Sequence, residues 1–127
     1  MEELLHYVWK HKIFPLRELK TTDGRKIEVI NPGMHNRDAG PDFSDAKVKL
    51  DGILWVGNVE IHTRTSDWIR HGHDKDVNYD NIILHVASDI DCELKYPDGN
   101  IVPQLQIEVP EYIFLQRQAL LDTEEGE

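Results

Sequence analysis

The sequence predicts an α+β domain, a central mixed sheet of about five to six strands flanked by N- and C-terminal helices. Three observations carry this. Ala46, Val48 and Leu50 alternate with Lys47 and Lys49, and an Asp51-Gly52 turn then leads into a second strand pattern, "ILWVGNVEIHTR". The run "NIILHVAS" is continuously apolar, as a central strand buried on both faces would be. Helical patterns stand at the two ends, in "EELLHYVWKHKIF" and "EYIFLQRQALLDTEEGE".

In the first helix Leu4, Leu5, Val8 and Trp9 share one face, and Pro15 is the expected stop. A turn at Asp23-Gly24, a strand over residues 27–30 and a turn at Pro32-Gly33 follow. "MHNRDAGPDF" lacks periodicity and reads as a loop. On the long strand after Gly52, side-chain alternation puts Trp55, Gly57, Val59 and Ile61 on one face and Asn58, Glu60 and His62 on the other. "TSDWIR" predicts a short helix capped by Thr65 or Ser66, and the acidic "HGHDKDVNYD" a loop. Pro97-Asp98-Gly99 marks a hairpin, Leu105, Ile107 and Val109 face inward beyond it, and Pro103 points to a sheet edge.

The 127 residues amount to one domain, expected to be the N-terminal portion of a longer protein because the last helix has little after it to close against. No apolar run is long enough to span a membrane, and the acidic start is unlike a signal peptide. A single cysteine, Cys92, excludes an internal disulfide and fits a reducing, cytoplasmic setting. The net charge of −10 is uneven: residues 1–50 hold nine Lys and Arg against eight Asp and Glu, residues 51–127 five against sixteen. Bulk electrostatics therefore do not attract nucleic acid, since phosphate contacts need cations. Recognition of a nucleic acid would fall to the first half of the chain or to a metal.

Asp42 precedes the first hairpin strand, and Glu60 lies on its partner. Two carboxylates brought together across strands repel unless a cation or proton lies between them. Mg²⁺ or Mn²⁺ takes one or two carboxylates plus water and phosphate oxygens. His62 points the same way as Glu60, about 7 Å further along, as a ligand or a base for water. The competing reading makes Lys47, Lys49, Asn58, Glu60 and His62 a solvated face, with Glu60 paired to a lysine. His71, His73 and Asp74 form a second polar cluster, which with His62 could take Zn²⁺ instead. His85, inside an apolar strand, reads as a hydrogen-bonded core histidine.

The segments "TTDGRKIEVINPGMHNRDAGPDFSDAKVKLDG" and "LWVGNVEIHTRTSDWIRHGHDKDVNYDNIILHV", with "LLHYVWKHKIF" and "PQLQIEV", resemble an uncharacterised bacterial family, the domain-of-unknown-function family numbered 2851. Pro41-Asp42 followed by Glu60-Ile61-His62 also resembles, more loosely, the signature of the PD-(D/E)xK nuclease superfamily. That second resemblance implies a restriction-endonuclease-like sheet, with Asp42, Glu60 and the Ile61 carbonyl as ligands of Mg²⁺ or Mn²⁺. His62 stands where that signature has lysine, and imidazole lacks lysine's fixed charge at neutral pH.

The expected function is therefore a divergent metal-dependent nuclease acting on phosphodiesters, with His62 as the catalytic residue. His35, His71, His73 and Asp74 would contribute near the phosphate, and Lys47, Lys49, Arg64 and Arg70 would grip the substrate. The rival from a different class is a non-catalytic module that docks a protein partner or its own C-terminal region.

Overall fold

The computed structural model describes residues 1–38, 40–70 and 81–125. In chain order the elements are α1 (Glu2–Lys10), β1 (Leu19–Lys20), β2 (Lys26–Asn31), β3 (Met34–His35), β4 (Phe43–Leu50), β5 (Ile53–Arg64), α2 (Thr65–Arg70), β6 (Ile82–Asp89), β7 (Gln104–Gln106) and α3 (Glu111–Glu125). The strands make one seven-stranded mixed sheet in the order β1-β2-β4-β5-β6-β7, with the two-residue β3 also paired to β4. The fold is thus the expected α+β arrangement with helices at both ends.

The hairpin of β4 and β5 is the spine of this sheet. Asp51 and Gly52 both take positive φ, at 48° and 82°, the left-handed pair that matches the twist of a two-residue hairpin. β5 pairs antiparallel with β4 and parallel with β6, and β6 pairs parallel with β7. β6 is buried from Ile82 to Ala87, as its unbroken apolar run requires. Gly57 is needed where β5 passes the start of β6. A Cβ there would lie 2.5 Å from the Ile83 side chain and 2.8 Å from the Asn81 carbonyl.

Alternation along β5 separates two layers. Val59 and Ile61 join Leu5, Val8 and Trp9 of α1 in the main core, together with Phe43, Val48, Leu84 and Val86. His62, on the other face, meets Trp68 of α2 edge-on. The two helices therefore cover opposite faces of the sheet. Trp68, Ile82, Leu94 and Val102 close a smaller second core.

Several local expectations need correction. α1 ends at Lys10, well before Pro15, because the chain turns at His11 and Lys12 takes a φ of 53°. The presumed loop "MHNRDAGPDF" contains β3, which pairs His35 with Phe43. Neither Thr65 nor Ser66 caps α2 with its own hydroxyl. Asp91 accepts the Ser66 N–H and O–H instead, at 2.9 and 2.7 Å, and the Thr65 hydroxyl goes to Gln104. The Pro97-Asp98-Gly99 turn holds only a single bridge, between Lys95 and Ile101.

Candidate functional site

Strand pairing on both sides of β5 slips just before Glu60. Against β4, Phe43 pairs with Val59 and Ala46 with Gly57, so one extra residue bulges out, with Asp45 at a φ of 57°. Against β6, the register shifts between Asn58 and Val59. Bulges re-aim side chains and loosen a ladder, and these two flank the strand where Asp42 enters.

There the backbone of one strand is tied to the carboxyl of the other in both directions. The Ile61 N–H donates to Asp42 Oδ2 at 2.8 Å, and the Asp42 N–H donates to Glu60 Oε2 at 3.2 Å. The tie clamps the two carboxyls side by side. Glu60 is only 3% exposed. Burial first, and the negative charge of Asp42 second, push its carboxyl up to about 9. Glu60 is accordingly a neutral acid at pH 7, its proton relieving the repulsion from Asp42.

Behind Glu60 runs a chain of buried side chains. His62 Nε2 lies 3.6 Å from Glu60 Oε1. His62 Nδ1 and His85 Nε2 are 2.9 Å apart, and His85 Nδ1 is 3.0 Å from Gln104 Oε1. Gln104 Oε1 also accepts the Thr65 hydroxyl, while its amide nitrogen donates to the Cys92 carbonyl. Only an amide N–H can donate to that carbonyl, so the orientation of Gln104 is fixed. Burial pushes His85 down to about 4, against the Gln104 hydrogen bond. Neutral His85 therefore carries its proton on Nδ1 and accepts at Nε2, and His62 donates from Nδ1. His62 Nε2 faces Glu60.

A third group approaches Asp42 from α1. His6 Nε2 lies 3.6 Å from Asp42 Oδ2, and His6 Nδ1 is 3.0 Å from His35 Nε2. His35 in turn stacks on Phe43, with the ring planes 10° apart. Among the described residues, Glu2, His6 and Asp42 place ligand atoms within 4.8 Å of one another. Burial lowers His6 below the ordinary histidine range, against the pull of Asp42 and Glu3.

The sequence-predicted residues thus divide. Asp42, Glu60, Ile61, His62 and His35 come together. The solvated-face alternative fails for Glu60 and His62, which are both 3% exposed, while Lys47 and Lys49 stand further out on β4 toward the hairpin turn. Lys47 lies five residues along from Asp42, roughly 15 Å by strand rise. Arg64 is 3.9 Å from Asp89, and Arg70 pairs with Asp67. His71, His73 and Asp74 lie outside the described residues. Sequence reasoning missed Glu2, His6 and Gln104. The spacing of Glu2 and His6, four apart on one helix, was the available signal for the first two. Two surface grooves of about 480 and 750 Å³ are lined by other residues, around Phe14 and Tyr112 and around Trp55 and Tyr96.

No helix among the described residues is long and apolar enough to cross a membrane. No curated protein and no solved structure matches the chain. Residues 2–126 match the family model described as a protein of unknown function, DUF2851, and the chain belongs to that family.

Proposed function

We propose that this domain is a divergent, metal-dependent phosphodiesterase of the nuclease type. The observation that carries the reading is the reciprocal tie between Asp42 and Glu60, which holds two carboxyls together at a bulged strand junction. Asp42 and Glu60, with the Ile61 carbonyl, would hold Mg²⁺ or Mn²⁺. Such an ion would supply charge neutralisation at the phosphoryl oxygens and activation of the attacking water. Glu60 must lose its proton to bind it. His62 Nε2 lies 3.6 Å from Glu60 Oε1 in the buried interior, so its contribution would run through Glu60 by packing that carboxyl in place. Lys47, Lys49, Arg64 and Arg70 remain the candidates for gripping a nucleic-acid substrate.

Calorimetric titration of Mn²⁺ tests the first step, on the native chain, Asp42→Ala and Glu60→Ala. Saturable binding that weakens at least about tenfold in both variants supports the reading. Binding of equal strength in all three proteins removes it.

A second reading, a non-catalytic docking module, is favoured by exposed apolar side chains. Tyr112, Phe114 and Leu115 stand out from α3, and Ile53, Leu54, Trp55 and Val56 are each about half exposed or more at the hairpin tip. A partner protein, or further chain of its own, would cover them. Protection of Trp55 fluorescence from quenching on adding the partner, absent with Leu115→Glu, would support docking.

A further inference from the structure

We propose that Glu2, His6 and Asp42 form a site for a first-row transition-metal ion, of the Mn²⁺ or Zn²⁺ class, with His6 Nε2 as its defining ligand. The inference shares Asp42 with the phosphodiesterase reading but requires neither Glu60 nor any hydrolysis.

The helix supplies two of the three ligands. Residues four apart lie one above the other on an α-helix, so Glu2 and His6 face the same way from α1. Asp42 meets them from the start of β4, with its Oδ2 already anchored by the Ile61 N–H. All three ligand atoms lie within 4.8 Å of one another. An ion with bonds of about 2.1 Å spans donor separations of roughly 3 to 4 Å, so small side-chain adjustments close the set. The side chains of His6 and Asp42 are 18% and 21% exposed and Glu2 is open to solvent, which leaves an entry path.

His6 supplies the second, independent observation. Its Nε2 is buried and, among the described residues, has no hydrogen-bond partner. The Asp42 carboxylate at 3.6 Å is beyond hydrogen-bond reach. The other ring nitrogen is held at 3.0 Å by His35, whose ring is pinned on Phe43. A ligating histidine has this arrangement: one nitrogen bonded to a supporting group, the other free with its lone pair aimed at the metal. His85 shows the contrast within the same molecule. As a structural core histidine it has both nitrogens bonded, to His62 and to Gln104. Imidazole favours transition metals, whereas Mg²⁺ prefers an all-oxygen shell, and this sets the selectivity.

Co²⁺ is the probe, because its visible absorption reports ligand type, and Zn²⁺ should displace it. The full chain is compared with His6→Ala, Glu2→Gln, His35→Ala and Glu60→Gln, each checked for folding by circular dichroism. The expected result is one equivalent of Co²⁺ on the native chain, abolished by His6→Ala and weakened on the order of tenfold or more by Glu2→Gln and His35→Ala. Glu60→Gln should keep the band, and excess Mg²⁺ should leave it in place. Should His6→Ala fail to fold, Glu2→Gln at its exposed position decides, with the His6 ring ¹⁵N shift in the native chain moving on Zn²⁺ addition. Absence of Co²⁺ binding to the native chain overturns the proposal. So does native affinity in both His6→Ala and Glu2→Gln, which would assign the ion to other ligands. Loss of the band in Glu60→Gln with retention in His6→Ala would leave the Asp42–Glu60 reading standing and remove this one; the reverse pattern would do the opposite.

Discussion

His62 and His85 join across the parallel β5–β6 pair through a single hydrogen bond, Nδ1 to Nε2, at 2.9 Å. Its polarity is set two residues away, at Gln104, whose amide nitrogen is committed to the Cys92 carbonyl. Trp68 packs edge-on against both rings, 5.5 Å from each, and shuts the chain off from solvent. The direction of the protons between Gln104, His85 and His62 is thereby fixed by one amide.

That dependence gives the first prediction. In ¹⁵N-resolved spectra of the native protein at neutral pH, His85 should appear as a neutral ring protonated at Nδ1, with His62 carrying a proton on its own Nδ1. Gln104→Ala removes the acceptor of both the His85 ring and the Thr65 hydroxyl. Leaving two buried donors unpaired should cost about 2 kcal/mol or more by urea unfolding, and should scramble the two tautomers. Nε2-protonated His85 in the native spectrum would refute the assignment.

The pH dependence of stability follows from two groups with opposite signs. His85 is held down to about 4, so below 6.5 the unfolded chain takes up a proton that the native chain refuses. Its contribution is complete above pH 6.5 and is lost as pH falls toward 4, roughly 3 kcal/mol in all. Glu60 is pushed up to about 9 from the usual 4.5, so the unfolded chain releases a proton that the native chain keeps. Its contribution is complete below pH 4.5 and is lost as pH rises toward 9. The two slopes oppose each other between pH 4.5 and 6.5, and Glu60 acts alone above. Glu60→Gln keeps the neutral form, so its stability advantage over the native chain should grow steadily from pH 5 to 9. A constant difference across that range, measured by denaturant unfolding, would contradict the burial of a neutral Glu60.

Gly57 carries a packing prediction. Alanine there would place a methyl 2.5 Å from Ile83 Cγ2 and 2.8 Å from the Asn81 carbonyl, and the latter is backbone that cannot swing aside. Gly57→Ala should destabilise by about 1–3 kcal/mol. Because the β5–β6 register slips at the adjacent Asn58, the change should also disturb Glu60, visible as an altered His85 ring shift. A variant as stable as the native chain would show that this crossing is looser than the close approach implies.

How far all this could be read from the sequence depended on the range of the interactions involved. The hairpin was legible because both signals are local: alternation over residues 46–50 and the Asp51-Gly52 turn. The same hairpin brought Asp42 to the level of Glu60 and Ile61, and the bulge at Asp45, which no local signal announces, set it opposite Glu60. What lies around them was not legible, because it is built by tertiary contacts. Lys47 and Lys49 suggested a wet face, and they do stand exposed or half-exposed, but Trp68 of α2 folds over His62, and Glu60 is buried beside Asp42. Nothing in the sequence singles out Gln104, on which Cys92, Thr65 and His85 converge. The end of α1 was misplaced because Lys12, a residue with no special liking for positive φ, makes the turn that Pro15 seemed to announce.

The last prediction concerns metal affinity and its proton. If Mn²⁺ binds through Glu60 as proposed, it must displace the proton held there by burial and by Asp42. Binding should then release close to one proton at pH 7, and the apparent affinity should rise about tenfold per pH unit until pH approaches 9. Calorimetry in two buffers of different ionisation enthalpy counts the proton directly. Glu60→Gln should bind more weakly and release none. Affinity that is flat between pH 6 and 8 would mean that the ion bypasses Glu60, and the ligands around His6 would then be the place to look for it.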